Sequence, residues 1–199
     1  MCHIASKPLC LLGALTATLL CACSGSEPPA AQAQKGTPAL VAVAEQGDVS
    51  ALNRLLTGNA QADVRDACQW TSLMKAALNG HLDVVQRLVE AGAAIDAEDT
   101  GGYTAMMLAA SNDHARVVDY LLGEGAQVDH QESTQGYSAL IWAAKLGHKA
   151  SVEVLIDHGA DSALREHSGL TAAEMAAREG HPAITEVLSA ADASGTASS

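Results

Sequence analysis

The sequence predicts an all-α repeat solenoid of stacked helix-turn-helix units, and three observations carry that expectation. A segment of about 33 residues recurs along the chain, apolar residues fall at helical spacing, and alanine is abundant while only five residues are aromatic. With 48% hydrophobic and 17% charged residues, the chain can bury one core and still carry a targeting segment. The absence of Phe suits close-packed helices better than a β-sandwich.

The first element stands outside the solenoid. Lys7 is the single charge ahead of the run PLCLLGALTATLLCA from Pro8 to Ala22. That run has the composition of an export signal and is too short to span a bilayer comfortably. It ends in Leu20-Cys21-Ala22-Cys23, which resembles a bacterial lipobox. The resemblance implies a lipoprotein signal peptide over residues 1–22, with Cys23 diacylated as the new N-terminus; Cys21 is the poorer candidate because bulky Leu20 precedes it. Ser24 after Cys23 implies sorting to the outer membrane, with the body facing the periplasm. Cleavage by ordinary signal peptidase after Ala31-Gln32-Ala33 is the alternative and would give a soluble periplasmic protein. Residues 23–37, with the stretch SGSEPPAAQAQKG, read as a flexible spacer. If Cys2, Cys10 and Cys21 leave with the signal and Cys23 takes lipid, Cys68 is an unpaired thiol, either buried and inert or bridged to another molecule.

The repeats then follow one another. ALVAVAEQGD, TSLMKAALNGH, TAMMLAASNDH, SALIWAAKLGH and TAAEMAAREGH begin at Pro38, Thr71, Thr104, Ser138 and Thr171, spaced by 33, 33, 34 and 33 residues. Thr or Ser at the start can cap a helix, and pairs such as Ala76-Ala77 and Ala143-Ala144 let neighbouring helices approach closely. Gly47, Gly80, Gly147 and Gly180 sit where the first helix ends, a place that favours positive φ; Asp113 replaces glycine in the third repeat. The second helices carry apolar residues at helical spacing, for instance Leu82, Val85, Leu88 and Val89. Between units, AGAAIDAEDTGGY and HGADSALREHSGL read as a helix-ending glycine followed by a hairpin, and EGAQVDHQESTQGY is one residue longer, predicting a bulge over residues 130–135.

These segments resemble the ankyrin-repeat pattern T-P-L-H-x-A-A-x-x-G-H, from residue 38 to about 190. The resemblance implies stacked helix-turn-helix units with projecting β-hairpin fingers, in repeats of about 38–70, 71–103, 104–137, 138–170 and 171–190, with a disordered tail over 191–199. It also implies a non-enzymatic protein-binding module. The pattern's His at the fourth position is Val41, Met74, Met107, Ile141 and Glu174 here, which puts the family's usual hydrogen bonds between repeats in doubt and shifts weight to apolar packing.

Three aromatic residues share one register position, directly before the helix-opening residue: Trp70, Tyr103 and Tyr137, with Leu170 continuing the row. In the family this position lies at the hairpin tip beside the concave surface, so the row reads either as a stripe of docking anchors, extended by Lys75 and Trp142, or as packing between fingers. His81, His114, His148 and His181 also share a position. Equivalent positions in stacked helices lie roughly 10 Å apart, too far for two imidazoles to ligate one ion, so Gly-His turn chemistry is the better account than a metal or haem row. No nucleophile-base pair, carboxylate dyad or phosphate loop is present in the sequence, so no catalytic residue and no cofactor is expected.

The formal charge of -12 disfavours nucleic acid as a partner, and points to a basic protein surface or simply to solubility. The expectation is therefore a monomer bound to the membrane through a lipid anchor, holding an unidentified protein on its finger face. It would act as an immunity protein against a delivered toxin, or in support of a periplasmic enzyme. The alternative is a haem or metal carrier, or an accessory to an enzyme such as a catalase.

Overall fold

The computed structural model describes residues 38–58 and 61–195, and among them are ten helices and no strand. The expected signal peptide, spacer and lipidation site at Cys23, together with residues 59–60 and 196–199, lie outside the described residues. The helices come in pairs: α1 (Ala39–Gln46) with α2 (Val49–Thr57), α3 (Ser72–Leu78) with α4 (Leu82–Glu90), α5 (Ala105–Ala110) with α6 (Ala115–Gly123), α7 (Ala139–Leu146) with α8 (Lys149–Asp157), and α9 (Ala172–Glu179) with α10 (Pro182–Gly195). First helices pack on first helices and second on second, giving a two-layered solenoid. The terminal helix runs to Gly195, five residues past the boundary at which the sequence predicts a disordered tail.

The caps form as the sequence dictates. Thr71, Thr104, Ser138 and Thr171 each accept a hydrogen bond from the amide three residues on, at 3.2 to 3.4 Å. The first three are buried, so each cap also removes a polar side chain from water with its bond made. Ala76, Ala77, Ala109, Ala110, Ala143 and Ala144 are fully inaccessible, and Met74, Met107 and Ile141 at the fourth position join them in the core. Glu174, at the same position in the last repeat, is exposed and closes a capping box, its carboxylate accepting from the Thr171 amide at 2.8 Å.

One set of hydrogen bonds between repeats comes from the histidine of the Gly-His turn, not from the pattern's fourth position. The rings of His81, His114, His148 and His181 reach back one repeat, Nε2 bonding the carbonyls of Glu45, Leu78, Ser111 and Lys145 at 3.2, 3.0, 3.1 and 3.1 Å. Each satisfies a carbonyl that the last turn of a first helix leaves unpaired. In the first repeat, with no described unit before it to reach, the position is Asp48, which caps its own helix by accepting from the Ala51 amide at 2.9 Å. The same geometry fixes the preceding glycine: at Gly80 φ is +72°, and a Cβ there would stand 2.5 Å from the His114 ring.

The fingers are tight turns, not β-ladders. Each closes through a backbone bond from Asp66 to Trp70, Asp99 to Tyr103, Glu132 to Tyr137 or Glu166 to Leu170, at 3.0 to 3.1 Å, and in all but the longer finger a second bond runs back to the same acid's carbonyl from Gln69, Gly102 or Gly169. Isolated antiparallel bridges at Arg65–Thr71 and Gln131–Ser138 are the β-pairing present among the described residues. Cys68, expected as an unpaired thiol, is disulfide-bonded and half-buried; the other four cysteines of the chain lie outside the described residues.

Candidate functional site

The finger tips are built on carboxylates. Asp66 accepts from the amides of Cys68 and Trp70 at 2.8 and 3.0 Å, and Asp99 from those of Gly101 and Tyr103 at the same distances. Glu166 accepts from the amides of Ser168 and Leu170 at 2.9 and 3.0 Å. In the longer finger Glu132 gathers the amides of Thr134, Gln135 and Tyr137 and the Thr134 hydroxyl. The inserted residue that lengthens this repeat is absorbed here, Tyr137 lying five residues after Glu132 where the other fingers span four. Burial of Glu132 would raise its pKa, but these hydrogen bonds outweigh it and hold the group below the ordinary carboxylate value. Glu166 is lowered to about 2, chiefly by the Ser168 hydroxyl and amide and the Leu170 amide.

A second set of carboxylates ties finger to finger. Asp63, Asp96 and Asp129 accept from the amides of Ala94, Gln127 and Asp161 in the following repeat, at 2.8, 3.0 and 2.9 Å. Side-chain donors tie the same turns. Arg65 bonds the carbonyls of Gln69 and Glu98 at 3.0 and 2.6 Å, and Gln131 those of Gly136 and Arg165 at 2.6 and 2.9 Å. Glu98, at the same register, has no N–H to donate, and His130 from the next finger bonds the Gly102 carbonyl at 2.9 Å instead. Much of the acidic excess is thus framework. These carboxylates tie the turns together while Asp63 and Asp129 remain exposed.

On this frame the predicted row divides into two clusters. In the first, Lys75 Nζ lies 4.7 Å from the Trp70 ring centroid and 3.4 Å from the Glu45 carboxylate. In the second, Trp142 meets Tyr137 edge-on at 5.0 Å between centroids and Tyr103 at 6.3 Å. Lys145 Nζ sits over both neighbours, 4.7 Å from the Tyr137 ring and 5.3 Å from Trp142, and donates to the Tyr137 hydroxyl at 3.2 Å. Tyr103 bonds Thr134 across the fingers at 3.2 Å, and burial holds its phenol above the ordinary value. Trp70, Tyr103, Trp142 and Leu170 are half-buried against the core. Tyr137 is 5% exposed, so it supports Trp142 and Lys145 from beneath and is not itself an exposed anchor. Leu170 shares the register but lies outside both cation-ring clusters. Lys145 was not singled out by the sequence; the signal available was its place one helical turn after Trp142.

The histidine row is occupied otherwise, each Nε2 facing a backbone carbonyl. Among the described residues no three His, Cys, Asp or Glu side chains gather where they could hold a metal. No helix among them is long and apolar enough to cross a membrane.

Compared with known proteins, the chain matches the family model described as "Ankyrin repeats (3 copies)" over residues 39–132 and again over 124–197. No curated protein matches it.

Proposed function

Because the chain belongs to the ankyrin-repeat family, we propose that it is a non-enzymatic binding module that holds a partner protein on its finger face. It would do so from a lipid tether at Cys23 on the periplasmic side of an outer membrane. The observation that carries the docking part is the cluster of Tyr103, Tyr137, Trp142 and Lys145, whose rings and ammonium are already packed into fixed positions. Anchors held rigid before binding lose little conformational freedom on contact, which is why aromatic side chains dominate interface energetics.

Two roles suit such a module: neutralising a toxin delivered to the periplasm, as an immunity protein does, or supporting a resident enzyme. The neighbouring genes would separate these. Affinity capture from the native envelope tests the surface. Trp70→Ala with Trp142→Ala should abolish capture while the chain still melts cooperatively, and unchanged capture would remove this face from consideration. Cys23→Ala should release the protein into the soluble periplasmic fraction. A disulfide from Cys68 to Cys23 in the mature chain would overturn the anchor, since one sulfur cannot be both thioether and disulfide.

A further inference from the structure

Lys145 differs from the other cations on the finger side of the molecule. Lys75 lies 3.4 Å from Glu45, while Arg178 pairs with Glu179 and Arg165 with Glu174, each at 3.2 Å. Arg65 is taken up by two carbonyls of the finger turns. Lys145 has no carboxylate partner among the described residues. An ammonium carries three donors; the Tyr137 hydroxyl takes one, and the two ring faces offer diffuse negative charge in place of a further hydrogen bond. The group is held in place but not neutralised.

Apolar surface borders it along α7. Trp142 shows part of its indole one helical turn earlier, and Leu146, the next residue, is 42% exposed, the one large hydrophobic residue so exposed among those described. An ammonium bordered by apolar surface donates a charge-assisted hydrogen bond to a carboxylate at lower desolvation cost than one fully ringed by water. Resting on the finger-face reading above, we propose that the partner docks a single Asp or Glu side chain, flanked by an apolar residue, onto Lys145 between Trp142 and Leu146.

The net charge limits what kind of acidic segment fits. At -12 the chain repels a polyacidic one at long range, but charges beyond about 8 Å are screened at physiological salt, so one carboxylate brought onto Lys145 meets mainly that cation. The occupant is an isolated acid in an apolar context and not an acidic run.

The test uses a random peptide library displayed on phage, selected against the mature full-length chain at physiological salt. The expected consensus is one Asp or Glu beside Leu, Ile, Val or Phe. A synthetic peptide of that consensus should move the indole N–H signal of Trp142 in NMR spectra. Lys145→Gln should weaken it roughly tenfold or more, as expected for loss of a charge-assisted contact. Lys145→Arg should hold affinity within a few-fold, and Lys75→Gln should leave it nearly unchanged. A consensus of basic residues, an acidic run indifferent to Lys145→Gln, or no enrichment would each overturn the proposal. Neutral or basic peptides that still perturb Trp142 would overturn the carboxylate inference alone and leave the finger face standing. Peptides that map away from Trp142, or none at all, would count against both.

Discussion

Asp113 and Ser151 are matched across the third and fourth repeats: one carboxylate oxygen of Asp113 accepts from the Ser151 amide at 3.2 Å and from its hydroxyl at 3.0 Å. In the preceding register the same two places are Gly80 and Val117. Asp113 adopts a φ of +57°, a region unfavourable to a side chain, and Ser151 is fully buried where an apolar residue otherwise sits. Each departure compensates the other.

A double-mutant cycle tests that pairing. Asp113→Gly relieves backbone strain but leaves the buried Ser151 hydroxyl unpaired, and Ser151→Val leaves the strained turn without its bonds. Either change alone is expected to be neutral or destabilising. The double variant restores the Gly80–Val117 arrangement and should be at least as stable as the parent, with a coupling of about 1–2 kcal/mol in chemical denaturation. Additive effects would dismiss the compensation.

Finger-tip carboxylates make stability depend on acid. Glu132 and Glu166 have folded values below the ordinary 4.5, Glu166 reaching about 2. Groups so depressed stabilise the fold above their unfolded value, and that contribution is lost as pH falls through the folded one. The urea midpoint should therefore fall as pH drops from about 5 to about 2, and less steeply in Glu132→Gln. An NMR titration of Glu166 should show a midpoint near 2; one at the ordinary value would mean the tip is open in solution.

Gly80→Ala should be among the costlier single changes in the array. It forces a side chain into positive φ and drives its Cβ to 2.5 Å from the His114 ring, which is itself held by the Leu78 carbonyl. We expect about 2–4 kcal/mol, against about 1–2 kcal/mol for His114→Ala, which loses one bond and its packing. In the His114→Ala background the penalty for Gly80→Ala should shrink, because the ring it meets is gone.

Two substitutions should stabilise the protein. Ser72 is buried with its hydroxyl unpaired at a position that is Ala105, Ala139 and Ala172 in later repeats, so Ser72→Ala should gain about 1 kcal/mol. Gln69 adopts a φ of +65° where later fingers carry Gly102, Gly136 and Gly169, so Gln69→Gly should gain about 0.5–1 kcal/mol. A lower denaturation midpoint in either variant would contradict the account of that site.

Much of this was legible in the chain itself. The period, the Thr and Ser caps, the alanine pairs and the glycine turns all follow from chemistry acting within a few residues, and repetition amplifies each signal. The jobs of Asp66, Asp99, Glu132 and Glu166 were legible in principle, as an acid four or five residues before the residue that precedes each cap, yet composition alone reads them as solvated charge. Lys145 was missed because the finger has to fold Tyr137 back against α7 before its ring meets Lys145 and Trp142, and because its distinction is the lack of a carboxylate partner among the described residues.

The sequence by itself determined the solenoid, its five-unit register and the glycine and Thr or Ser ends of its first helices, because those depend on contacts along one repeat and its copy. Only the tertiary structure decided which groups meet: that histidines reach back to bond carbonyls, that Asp113 answers Ser151, that Tyr137 is buried beneath Trp142, and that Lys145 meets a hydroxyl and two rings but no carboxylate among the described residues. The histidine and Asp113 pairings join residues more than thirty positions apart, where the chain carries no local signal and geometry alone chooses the partner.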